Sequence, residues 1–349
     1  MYGPTYFFQN VKSIFDADDL TVVNFEGTLT DSTERNGETF AFKAPAEYAE
    51  ILTDGGVEAV NVANNHSHDY GDQGFADTKE NLKNAGLITF GYNETALVDV
   101  KGVKVGLVGI YELHDHLERE YQLRVNIQKV QAEGADLVFV IFHWGNEKDT
   151  VPDENQVTLA KLAIDNGADL VVGHHAHVLQ GVTTYKGKTI AYGLGNFCFG
   201  GNSSPSDMDT MIFQQTFTIT SDGVQADNVT NIIPCSISSA DGYNNYQPTP
   251  ATGDEATRIK SKIDERSAAI PTADSTAKSS GDTGSSDTVS ADDASGSTDT
   301  SDESESDTDS DFSDESDGSD YDTSEDYDTS DEEDYSSDEE ADFSDNSDE

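Results

Sequence analysis

Four stretches of the chain share one pattern: a short, largely apolar run, rich in β-branched residues, that gives way abruptly to polar side chains. Runs of this kind without strict alternation suit strands covered on both faces of a sheet. The run at 20–24 delivers Asn24 and Glu26, with Gly27 permitting a sharp exit. That at 57–63 delivers Asn64, Asn65 and His66, followed by Asp69 and Gly71. The run at 136–142 ends in His143, Trp144 and Gly145, and the one at 169–172 in Gly173, His174, His175, Ala176 and His177. Helical periods fall between them. Pro45 suits the first turn of a helix over 45–52 that Gly55 and Gly56 stop. Further helices are expected at 72–84, with Phe75 and Leu82 inward, at 125–133, and at 154–166 after Pro152. Strand patterns at 87–90, 96–100 and 103–110 complete an alternation of strand and helix, the signature of an α/β sheet. Residues 111–120 read as an irregular solvated stretch, with His114 and His116, two apart, as an alternative ligand pair.

From residue 178 the pattern changes to strands at 178–185, 188–192, 211–219 and 224–233, with Lys186-Gly187 and Asp222-Gly223 as hairpin signals. A second sheet packed on the first is expected. The opening 19 residues carry aromatics that pack and a short amphipathic stretch, with neither the design of a signal peptide nor the length of a membrane span.

Charge divides the 349-residue chain, whose formal net charge is −50. Residues 271–349 hold 31 Asp and Glu against the single base Lys278, and an approximate repeat at 321–326 and 327–332. Such a segment repels itself and buries almost nothing, so it is expected to be disordered, and its deletion to leave thermal stability unchanged. It reads as a solubilising spacer, with weak Ca²⁺ or cationic-wall binding as the functional alternative. Residues 1–247 form the expected folded domain and 248–270 a linker with a polar helix at 254–266. The folded part is acidic too, which argues against a nucleic-acid partner, since phosphate contacts need clustered Lys and Arg. Cys198 and Cys235, the only cysteines, read as buried free thiols, with a disulfide as the alternative outside the cell.

Ligands of open α/β sheets sit outside the carboxyl ends of strands, where the four polar clusters fall. Taken singly, Glu26 reads as a cap or surface carboxylate, Asn65 as a turn former, His143 as a strand cap and the His-rich stretch as a polar loop. Taken together they read as a site. All eight histidines lie between His66 and His177, six of them in these clusters. In an extended segment His175 and His177 would face the same way. A carboxylate, an amide and imidazoles without thiolate suit Mn, Fe or Zn rather than Ca. Two such ions about 3.5–4 Å apart would clamp a phosphate and supply hydroxide near neutral pH.

At these residues the sequence resembles the bacterial capsule synthesis CapA (poly-γ-glutamate biosynthesis) family, whose domain is similar to calcineurin-like metallophosphoesterases. The motifs are NFEGTLT at 24–30, ANNH at 63–66 with Asp69 and Gly71, HWG at 143–145, GHHAH at 173–177 and YGLGNF at 192–197. The resemblance implies a four-layer α-β-β-α sandwich of the metallo-dependent phosphatase type. It implies Glu26, Asn65, His143, His175 and His177 as ligands of two divalent ions, and His66 as the acid or phosphate-contacting imidazole. Asp69 would orient His66 by opposite charge. It further implies an anionic polymer or phosphoester substrate, membrane-bound capsule machinery as partner, and an extracytoplasmic location. The family's first strand, ending in a Gly-Asp whose Asp is a ligand, has no counterpart here, so the chain is expected to be N-terminally short. Ala176 and Gly193 replace the usual Pro and Ser. A catalytically silent polymer-binding scaffold and a general phosphatase or nucleotidase are the alternative functions.

Overall fold

Leu137–His143 lies inside a six-stranded sheet in the computed structural model of the protein, which describes residues 2–37, 39–225 and 229–271. It pairs in parallel with Val103–Tyr111 on one side and Leu170–His174 on the other, as its continuous apolar sequence requires. Ala96–Val100 adds antiparallel to Val103–Tyr111. On the far side Lys188–Ala191 and Val182–Tyr185 form a hairpin, closed by Lys186 and Gly187 at φ 49° and 75°, the turn whose twist matches paired strands. A three-stranded parallel sheet joins Val22–Asn24, Ala59–Asn61 and Ile88–Phe90. An antiparallel one joins Asp209–Thr216, Val229–Ser236 and Thr249–Pro250. The fold is mixed α/β.

Three apolar clusters hold these sheets. Alternate residues of the central strand face opposite ways: Val138, Val140 and Phe142 meet helices Glu120–Ala132 and Glu154–Asp165 through Leu123, Ile127, Leu159 and Ala163. Leu137 and Ile141 meet Ala59 and Phe90 of the parallel sheet, with Phe213 of the antiparallel one alongside. On the outer side of the smaller sheets, Val60, Ile212 and Cys235 pack against Phe8, Val11, Phe15, Leu52 and Leu82. Helix Gly253–Ala268 buries Ile259 and Ile263 against Leu179 and Met211, and its Arg258 grips Asp209 with two hydrogen bonds of 2.6 and 2.7 Å. Both cysteines are free, and burial pushes each thiol up to about 12.

Several boundaries differ from the sequence expectation. The helix expected from residue 125 starts at Glu120, because a 3-10 turn at His116–Arg119 runs straight into it. The helix expected from Pro45 is a 3-10 turn, Ala46–Tyr48, continued by Ala49–Gly55 and stopped at Gly56, φ 85°. The strand expected from 178 begins at Val182; before it Gln180 hydrogen-bonds Gly193 and Leu179 bridges Leu194. Residues 272–349, with the disorder expected of them, lie outside the described residues, all of which belong to the unit Met1–Thr283. Among the described residues no helix is long and apolar enough to cross a membrane.

Helix Glu154–Asp165 starts on a capping box: Asp153 accepts the Gln156 backbone N–H at 2.8 Å, and Gln156 Oε1 accepts that of Asp153 at 2.9 Å. Asp153→Ala should cost about 1 kcal/mol, seen in urea as a lower midpoint at unchanged slope.

Candidate metal centre at the strand ends

Parallel pairing aligns the carboxyl ends of the strands and brings their polar residues together. Asn24 registers with Asn61 across the smaller sheet, and His143 with Tyr111 and His174 across the larger. Beneath the larger sheet's end, Trp144 is fully buried, stacked on Phe142 at 4.2 Å, and donates from Nε1 to the Tyr192 carbonyl at 2.9 Å.

His143 sits at the centre of the cluster and is fully buried. Its Nε2 lies 2.8 Å from Asn65 Oδ1, and its Nδ1 3.7 Å from Glu26 Oε1. Its ring is 4.8 Å from that of His175, which is 5.8 Å from that of His177. His177 in turn meets Asn196 Oδ1 at 2.8 Å. His66 Nδ1 pairs with Asp69 Oδ2 at 3.0 Å, and the same oxygen accepts the Phe42 backbone N–H at 2.6 Å. Glu26, Asn65, His143, His175 and His177 thus form one run of contacts, and the His66–Asp69 pair lies near enough for its imidazole charge to act on Glu26 and His143. His114 and His116 stand apart, the first against Tyr111 and the second 2.8 Å from Glu112.

Burial sets the charge states. It holds His143 well below the ordinary imidazole range, helped by the neighbouring histidines, and it lowers His174 and His175 to about 4. These rings are neutral near neutral pH, the form that binds metal. Burial raises Glu26 against the pull of His177 and His66. For His66 burial acts against the charge, but the hydrogen bond and charge of Asp69, followed by Glu26 and Glu147, prevail and raise it.

The donors suit a divalent cation of the Mn, Fe or Zn type in kind, being carboxylate, amide and neutral imidazole. One further observation fits: His175 Nδ1 is buried without a hydrogen-bond partner, an arrangement that carries a desolvation cost unless something else satisfies the nitrogen. Among the described residues no three of His, Cys, Asp and Glu stand around one point as a ready-made cage. Donor atoms instead engage each other, His143 with Asn65 and His177 with Asn196.

The expected geometry of the His175 and His177 pair is corrected. The strand ends at His174, and the two residues adopt φ 96° and 56° rather than an extended backbone. A tight turn puts them on one side, in a region that non-glycine residues occupy at a cost and that clusters at functional sites. Sequence reasoning assigned no role to Asn61, Asn196 or Glu147. Asn196 lies inside the 192–197 motif and was within reach; Glu147 is one exposed acid in a chain full of them.

Glu26, His175, His177 and Asn196 also line one end of a cleft of about 850 Å³. The cleft runs between Val22–Asn24 and Asp209–Thr216, each an edge strand of its own sheet.

Comparison with known proteins matches residues 1–201 to the family described as bacterial capsule synthesis protein PGA_cap. The PGA biosynthesis protein CapA of Bacillus subtilis (strain 168) is 32% identical over 221 residues, 56% of this chain and 57% of its own length. The capsule biosynthesis protein CapA of Bacillus anthracis is 34% identical over 224 residues, 57% and 54% of the two chains. This chain thus spans about half the length of these relatives. A solved hypothetical protein from Thermus thermophilus superposes with TM-score 0.43 at 15% identity, over 66% of this chain and 93% of its own. With its motifs at the carboxyl ends of the sheets and the family profile matching more than half of its length, the chain belongs to the bacterial capsule synthesis protein PGA_cap family.

Proposed function

We propose that this chain serves the synthesis or export of an anionic capsule polymer, poly-γ-glutamate, at the extracytoplasmic side of a membrane, through a divalent-metal site of the metallophosphoesterase kind. The names of the two Bacillus relatives support the polymer and the setting. The metal site rests on one observation above the others: a fully buried, neutral His143 held between Asn65 and Glu26 beside His175. Glu26, Asn65, His143, His175 and His177 would hold the metal, which when bound supplies Lewis acidity and hydroxide. His66, whose protonated form Asp69 favours, would donate to a leaving oxygen or steady a phosphoryl group. In fold terms we read a four-layer α-β-β-α sandwich, supported by the three apolar clusters between successive layers.

Electrostatics constrain the polymer. Lys43 is the single Lys or Arg among the residues that line the cleft, against Asp18 and Glu26, so a polyanion needs bound cations there. The scaffold reading is favoured by the same mutual engagement of donor atoms that leaves no cage among the described residues. Calorimetric titration of the full chain with Mn²⁺ and Zn²⁺, followed by assay on a chromogenic phosphodiester, separates the two. Saturable binding with turnover is expected; absence of binding would establish the scaffold.

A further inference from the structure

A line of amides leads from the interior of the parallel sheet to the site. Asn61 is fully buried. Its Oδ1 accepts the Ala63 backbone N–H at 3.2 Å, and its Nδ2 donates to Asn24 Oδ1 at 3.0 Å. Asn24 then turns Nδ2 outward, 2.9 Å from Glu26 Oε1 and 3.5 Å from His143 Nδ1. An amide's two ends are ordinarily interchangeable on shape alone. Here the direction is fixed, because the backbone N–H of Ala63 can only donate. The site for Asn61 is also shaped to it: a Cβ at Gly109 would fall 2.2 Å from Asn61 Oδ1, and one at Gly91 3.0 Å from it. Two neighbouring backbones thus leave room for that oxygen and nothing larger.

We propose that Asn61 and Asn24 are positioning residues, a one-way hydrogen-bond relay that presents an N–H to Glu26 and so fixes how that carboxylate meets a divalent cation. In the metal-free protein the same donor faces His143 Nδ1, which leaves Nε2–H to face Asn65 Oδ1. Neither amide is itself a ligand. The proposal rests on the metal-site reading, and its test is built to fail separately from that reading.

Asn61→Asp keeps the shape and removes the donor. The new carboxylate accepts from Ala63 and draws the Asn24 amide round, so that Asn24 Oδ1 opposes Glu26. Zn²⁺ affinity of the full chain should fall about 10–100-fold, the usual effect of losing a ligand's supporting partner. Asn24→Ala, at a half-buried position, should cause a similar loss. The double variant should be no worse than the poorer single one, because both cut the same relay. Asn126→Asp, which alters another buried amide donor, should leave the affinity unchanged. In the metal-free protein, ¹⁵N shifts of the His143 ring should report the Nε2-protonated tautomer in the wild type and a changed balance in Asn61→Asp. Additive losses, an equal loss in Asn126→Asp, or an unmoved tautomer would overturn the relay. If the wild type binds no Zn²⁺, the metal reading fails, and the ring shifts alone decide the relay.

Discussion

His143→Ala and His175→Ala should each abolish tight binding of Mn²⁺ or Zn²⁺, whereas His66→Ala should keep the metal and lose hydrolysis by roughly 10²–10⁴-fold. The difference follows from charge state. His143 and His175 are held neutral by burial, as a ligand must be. His66 is raised above the ordinary imidazole value of 6.5 by Asp69, with Glu26 and Glu147 adding to it, despite burial. A protonated ring beside the ligands donates protons and does not bind cations. Metal content measured beside turnover decides: loss of metal in His66→Ala would make His66 a ligand.

The pH profile follows with its signs. Because the folded value of His66 is raised, its pairing with Asp69 contributes fully below about 6.5 and fades as pH rises through the higher folded value. Turnover should therefore fall on the alkaline side through loss of the His66 proton. On the acid side it should fall below about 4, where protonation of His175 competes with the metal.

Gly173→Ala should be the most damaging small substitution in the domain. A Cβ there would lie 2.1 Å from the Tyr192 carbonyl oxygen and 2.2 Å from Trp144 Nε1. One obstacle is backbone and the other is the indole that donates to that same carbonyl, so relief for one breaks the other. Overpacking costs about 1–3 kcal/mol, and stranding a buried donor and acceptor costs about 1–3 kcal/mol more. That is a large part of the roughly 5–15 kcal/mol that holds a domain together. Urea denaturation should show the midpoint collapse, while Gly3→Ala, with nothing within 4 Å of the added carbon, should match the wild type. A Gly173→Ala protein of unchanged midpoint would mean that Trp144 is not clamped as described.

Much of this was legible in the sequence because it is written locally. An apolar run that stops at a polar residue marks a strand and its end together, and that pattern alone locates Asn24, His143 and His174. Helices betrayed themselves by period and by Pro45, Gly55 and Gly56. What escaped depends on partners distant in sequence. Asn61 looks like a polar interruption in an apolar run, and only the parallel register that sets it beside Asn24 gives it a role. The turn at His175 and His177 left no signal either, since positive φ is uncommon for any residue but Gly and no Gly stands at either position. The early start of the Glu120–Ala132 helix was masked by a polar 3-10 turn with no apolar period to mark it.

The most direct test is a crystal structure of the full chain grown with Zn²⁺, with the ion located by anomalous scattering. Zinc within about 2.0–2.2 Å of Glu26, His143 and at least one of His175 and His177 is the predicted result. A saturated crystal with no ion at these side chains, or with zinc bound only elsewhere, would contradict it.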